Sequence, residues 1–154
     1  MSQPRLTKVT LSEAHIIHRA PIVSAERRQA LSDLLEKNYF KPRGNDFGPY
    51  ALDLSVEDNR LIFEISDSTG LKLPLQILSL RPYRRLVKDY FLICESYINV
   101  AKSHNRQKLE AIDMARRGLH NEGADLLKTR LKDKIEVDFN TARSLWTLIC
   151  VMHI

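Results

Sequence analysis

The chain has 154 residues, a mass of 17.8 kDa and a formal charge of +5 at pH 7, with 44% hydrophobic residues, 28% charged residues and two cysteines. That length supports one sizeable core without a disulfide scaffold or a structural metal, and the composition is that of a globular chain rather than a disordered one. Up to Leu78, 10 Lys and Arg balance 10 Asp and Glu, so the whole surplus lies from Ser79 onward, where 14 face 9.

Met1-Ser2-Gln3-Pro4-Arg5 leads into no signal-peptide core, and no run approaches the ~18 apolar residues of a membrane span. A cytoplasmic protein is expected. Arg5 to Leu11 reads as a short, weakly alternating strand. His15 and His18 share one side of a turn, but no second pair of ligands is spaced to complete a metal site, and none is expected. After Pro21, Ser24 is placed to cap a helix from Ala25 to about Asn38, with Leu31, Leu34 and Leu35 on its apolar face. Lys41 to Gly48 is rich in turn formers and reads as loop.

Three strands follow. Tyr50 to Val56 alternates, with Tyr50, Leu52, Leu54 and Val56 on one side. Asp58-Asn59 turns the chain, Arg60 to Ile65 returns, and Asp67-Ser68-Thr69-Gly70 turns it again. Leu71 to Leu80 is the third, with Pro74 marking an edge or a bulge. Pro82 suits the first turn of a helix reaching about Lys102, apolar on most sides and therefore expected at the centre of the fold. A second helix is expected from about Arg106 to Leu131, a short strand over Lys134 to Val137, and a third helix from about Asn140 to Met152, with Leu145, Trp146 and Ile149 inward. The expectation is a single α+β domain spanning 1–154. A small antiparallel meander of three to four strands lies in the N-terminal half, covered by helices that come mainly from the C-terminal half.

Cys94 and Cys150 sit inside apolar runs without CxxC spacing and read as buried small hydrophobes. The chain has no GxSxG, no P-loop and no dinucleotide fingerprint, so no cofactor is implied. Tyr83, Tyr90, Phe91 and Tyr97 are spaced for helix packing rather than as the stacking platform of a single-stranded RNA reader.

Two segments carry candidate chemistry. Arg81, Arg84, Arg85 and Lys88 crowd a helix start with no acid among residues 81–88. Cations there oppose the helix dipole by about 0.3–1 kcal/mol each. An external anion, acids from the meander, or water can offset that term.

In the second segment, the stripe Leu109, Ile112, Leu119, Leu126 and Leu127 stays in phase across Gly118 and Gly123, which favours one helix. Gly123 falls in that stripe and permits close approach of a neighbour. Arg116 also falls in the apolar sector, with Asp113 and His120 at its edge. The trio serves as a buried Asp–Arg pair with a satisfied histidine, as a ligand-facing group, or as an acid–base site. In the last case His120 transfers the proton, Asp113 orients it and Arg116 holds an anionic substrate.

The runs Leu80-Arg81-Pro82-Tyr83-Arg84-Arg85-Leu86-Val87-Lys88-Asp89-Tyr90-Phe91-Leu92-Ile93-Cys94-Glu95-Ser96-Tyr97 and Glu110-Ala111-Ile112-Asp113-Met114-Ala115-Arg116-Arg117-Gly118-Leu119-His120-Asn121-Glu122-Gly123 resemble alphaproteobacterial uncharacterised protein family 0262. Lys134-Ile135-Glu136-Val137-Asp138-Phe139 resembles it too, and the likeness covers nearly the whole chain. One departure is the C-terminus: the chain ends at His153-Ile154, where relatives continue with a few polar or basic residues. The resemblance implies a small bacterial cytoplasmic protein and no particular activity, cofactor or catalytic residue.

The leading expectation is a non-enzymatic binding or regulatory module. It holds a phosphate-bearing ligand, RNA or an acidic protein surface through Arg81, Arg84, Arg85 and Lys88, with Arg116 and His120 completing a pocket. A small enzyme built on His120 and a structural interaction module are the alternatives.

Overall fold

The computed structural model describes residues 3–12 and 21–152, so His15, His18 and the terminal His153-Ile154 lie outside the described residues. In chain order the elements are β1 (Leu6–Ser12), α1 (Pro21–Glu36), β2 (Phe40–Pro42), β3 (Tyr50–Glu57), β4 (Arg60–Ser66) and β5 (Gln76–Ser79). A 3-10 turn (Arg81–Tyr83) then leads into α2 (Arg84–Ala101), α3 (Arg106–Leu131), β6 (Ile135–Val137) and α4 (Phe139–Met152). The fold is α+β.

The larger sheet has the order β1-β3-β4-β5. From β3 to β5 it is the expected antiparallel meander, turned at Asp58 and Asn59, which both take positive φ. Alternation buries Tyr50, Leu52 and Leu54 of β3 beneath the helices, with Leu61, Phe63 and Ile65 of β4 beside them. Val56, expected on the same face, is only partly buried. The second turn is held by Asp67, whose carboxylate accepts from the Thr69 N–H at 2.9 Å, the Thr69 hydroxyl at 2.6 Å and the Leu71 N–H at 3.1 Å.

Four features differ from the sequence expectation. First, β1 joins the sheet parallel to β3, which requires a crossover, and α1 lies in it. Second, α1 begins at Pro21, so Ser24 lies within its first turn rather than at its cap. The buried face is Val23, Glu26, Ala30 and Leu34, while Leu35 is exposed. Third, the start of the segment read as loop, Lys41 and Pro42, belongs to β2, which pairs antiparallel with β6 through Phe40–Val137 and Pro42–Ile135. Fourth, the central helix is α4. From Leu145 to Val151 every residue of α4 is buried, whereas α2 buries only Leu86, Val87, Tyr90 and Cys94. α4 has α1 and α3 against it, while the far half of α2 has mainly α3 for cover.

Local capping explains where the last two helices begin. Asn105 accepts from the Lys108 N–H at 3.1 Å, opening α3, and Asp138 accepts from the Thr141 N–H at 2.8 Å, opening α4. Asn38 ties the end of α1 to β1: Leu6 N–H donates to its side-chain oxygen at 2.7 Å, and its amide donates back to the Leu6 carbonyl at 3.0 Å. Gly123 sits against Trp146, so a Cβ there would overlap the indole, while Gly118 faces open space. This is the close approach that the stripe position of Gly123 implied. Both cysteines are free and buried, and burial pushes the Cys94 thiol up to about 11.

Candidate functional site

The basic segment divides into bound and unbound cations. Arg85 leans along α2 to Asp89 at 3.2 Å and across to Glu122 of α3 at 2.5 Å. Arg81, Arg84 and Lys88 are exposed, and no ion pair holds them among the described residues. Leu80 gives the turn no side-chain cap. Between Arg81 and Arg84, the buried Tyr83 turns its ring toward α3, and the Arg130 guanidinium stands 5.4 Å over it. The phenol is pushed up to about 12 by burial, with Arg130 acting the other way. One end of the α2–α3 pair thus presents cations from both helices.

The second segment folds into a different place, a cavity of about 150 Å³ between α1, α3 and α4. Its inner wall carries Glu26, a buried acid on the apolar face of α1. Arg116 donates to one carboxylate oxygen of Glu26, and the Tyr90 hydroxyl donates to the other. Arg116 also holds Asp113 at 2.9 Å, and Arg117 reaches the same Asp113 at 2.7 Å. Burial works to lower the Arg116 pKa, but the bonds and charges of Glu26 and Asp113 outweigh it and raise it. Hydrogen bonds from Arg117 and then Arg116 hold Asp113 below the usual carboxylate range.

His120 is buried, its Nδ1 3.2 Å from the Thr147 hydroxyl and its Nε2 3.9 Å from Glu26. Burial pulls its pKa down to about 4, Glu26 opposes that, and Arg143 and Arg116 add to it. The imidazole is therefore neutral at pH 7. Gln29 and Asp33, joined at 2.8 Å, close the α1 side of the cavity, and Arg143 and Thr147 close the α4 side.

Arg116 and His120 line this cavity together, but Arg81, Arg84, Arg85 and Lys88 do not; Arg85 lines a separate surface cavity with Asp89, Leu92 and Glu122. Asp113 makes its contacts with Arg116 and Arg117, and the group that orients His120 is Thr147. A histidine titrating near 4 is poorly matched to proton transfer at neutral pH. Glu26, Arg143 and Thr147 are absent from the sequence reading. The available signal for Glu26 was an acid in phase with Val23, Ala30 and Leu34. Among the described residues no group of three or more His, Cys, Asp or Glu is placed to hold a metal ion, and no helix is long and apolar enough to cross a membrane.

Comparison with known proteins adds lineage. The family model described as "Uncharacterised protein family (UPF0262)" matches residues 3–154. A UPF0262 protein of Paramagnetospirillum magneticum is 51% identical over 150 residues, covering 97% of this chain and 96% of the relative. One of Brucella anthropi is 54% identical over 150 residues, covering 97% of this chain and 93% of its own length. One of Rhizobium meliloti is 51% identical over 149 residues, covering 97% and 94%. No solved structure matches the chain.

Proposed function

The chain belongs to UPF0262, a family described only as uncharacterised, so its function has to be read from its own residues, and we propose that it is a non-enzymatic binding module for a phosphate-bearing macromolecule. The observation that supports this reading is the division of the basic segment. Arg85 is held by Asp89 and Glu122, while Arg81, Arg84 and Lys88 stand exposed at a helix start without an acid partner among the described residues. Cations in that position oppose the helix dipole unless an anion joins them. Guanidinium forks and an ammonium suit phosphate oxygens, and Arg130 over Tyr83 extends the same charge onto α3. Arg116 and His120, expected to complete the same pocket, line the separate cavity between α1, α3 and α4 instead.

The test is a salt titration of binding to a short single-stranded RNA, with a poly-glutamate peptide as the acidic-protein control. Replacing Arg81, Arg84 and Lys88 together by Ala is expected to abolish RNA binding at moderate salt. It should also reduce the slope of log K against log salt by about 0.7 for each phosphate that is no longer neutralised. Arg85→Ala should leave most of the affinity in place. Binding that ignores salt, or survives the triple replacement, overturns the reading. A preference for poly-glutamate moves the partner to an acidic protein surface.

A further inference from the structure

The cavity between α1, α3 and α4 supports a reading independent of the basic edge, starting from one proton. The Thr147 hydroxyl donates its only hydrogen to the Arg143 carbonyl oxygen at 3.0 Å. Toward His120 Nδ1, at 3.2 Å, the same oxygen can then only accept. Nδ1 therefore carries the imidazole proton, and Nε2 presents a bare lone pair. That lone pair faces Glu26 Oε2 at 3.9 Å, a carboxylate oxygen that already accepts from Tyr90. Two buried acceptors are thus aimed across one gap, and among the described residues no side chain donates into it.

One atom can stand about 2.8 Å from both acceptors and bond each, provided it carries two protons. A hydroxyl carries one and fails; a water satisfies both, and so does a primary ammonium, which the charges around the cavity then favour. On the α4 side of the same cavity, the half-buried Arg143 has no ion pair among the described residues. Glu26 and Asp33 balance Arg116 and Arg143 in charge, so the lining suits a ligand that is itself charged at both ends. At about 30 Å³ per water-sized group, the volume of about 150 Å³ takes about five such groups, the non-hydrogen count of glycine, and its open mouth leaves room for a slightly larger amino acid such as alanine.

We propose that the α1–α3–α4 cavity is a binding site for a small zwitterionic α-amino acid, its ammonium between His120 Nε2 and Glu26 and its carboxylate on Arg143. The neutral imidazole and the fixed Nδ1–H tautomer make Nε2 an acceptor throughout the physiological range. Arg116, already shared between Glu26 and Asp113, fixes the Glu26 carboxylate rather than the ligand.

The test is nitrogen-15 NMR of the histidine side chains of the full chain, titrated with glycine and with L-alanine, the His120 signals being assigned by their disappearance in His120→Gln. Trimethylglycine, which keeps the carboxylate but has no N–H, and methylammonium, which keeps only the donor, are the controls. Glycine and alanine are expected to move His120 Nε2 saturably, methylammonium to move it only at much higher concentration, and trimethylglycine to leave it unmoved. Arg143→Gln, a surface-side replacement, should weaken glycine at least about tenfold, as removal of a charge-assisted bond to a carboxylate does. The proposal is overturned if trimethylglycine binds as well as glycine or if Arg143→Gln leaves the affinity unchanged. It is also overturned if no amino acid produces a saturable shift up to about 50 mM. The triple replacement of Arg81, Arg84 and Lys88 should leave the glycine response intact, which separates this site from the basic edge.

Discussion

Replacing Glu26 by Ala leaves two donors, the Arg116 guanidinium and the Tyr90 hydroxyl, without their shared acceptor. Breaking such a buried pair costs about 3–5 kcal/mol, and the part exposure of Arg116 places the expected loss near the lower figure; urea denaturation of Glu26→Ala measures it. His120 gives the pH dependence its sign. Its pKa falls from 6.5 to about 4 on folding, so above about pH 6.5 both states are neutral and its contribution to stability is complete. As pH drops toward 4, the unfolded chain takes up a proton that the native state refuses, and stability falls by up to about 1.4 kcal/mol per pH unit. Denaturation at pH 7 and pH 5 should show this loss, and His120→Gln should flatten it. The lowered carboxyls of Asp113 and Asp67 act below that window, their contribution being lost only as pH falls beneath the ordinary carboxylate value. The trio of Asp113, Arg116 and His120 was legible because all three lie on α3, in one helical phase. Glu26 was not, because its partner Arg116 lies 90 residues on in another helix, and nothing local to α1 shows that an acid in phase with Ala30 and Leu34 will be met there.

Among the elements, α3 shows how local signals and packing agree. Its bounds follow from the Asn105 cap and a stripe that keeps phase through both glycines. The two glycines make opposite predictions. Gly123→Ala drives a methyl into the Trp146 ring and is expected to cost about 1–3 kcal/mol, as overpacking does, against a helix-propensity gain of about 1 kcal/mol. Gly118→Ala meets nothing within 4 Å and should stabilise by about that 1 kcal/mol alone. Thermal unfolding of the two variants should move in opposite directions. The elements that escaped sequence reading are those whose reason lies elsewhere in the chain. β2 is three residues long and exists by pairing with β6, and the parallel seat of β1 depends on β3 and on α1 crossing between them. α2 misled for a related reason: its apolar residues on several sides suggest a central helix, but burial depends on how many neighbours the topology supplies, and α4 receives them.

For the molecule as a whole, the helical layer is uneven. α4 is sealed between α1, α3 and the sheet, while the far halves of α2 and α3 leave Leu92, Tyr97 and Met114 exposed. Amide hydrogen exchange should therefore be slowest in α4 and fastest toward the α2–α3 connection, with the β3–β4 ladder near the α4 rate. The two candidate sites stand apart on this layer: the cavity opens to the surface past Gln29 and Asp33 with Glu26 and His120 buried at its base, and Arg81, Arg84 and Lys88, unpaired among the described residues, stand at an exposed helix start. The contact of Gly123 with Trp146 has a spectroscopic consequence. Trp146 is the single tryptophan of the chain, fully buried at the α3–α4 seam, its indole N–H without a hydrogen-bond partner among the described residues and the Tyr83 ring 5.6 Å away. Its fluorescence therefore reports on that seam, emitting toward the blue and shielded from iodide for as long as the core is closed, and the Tyr83 ring puts it one contact away from the basic edge.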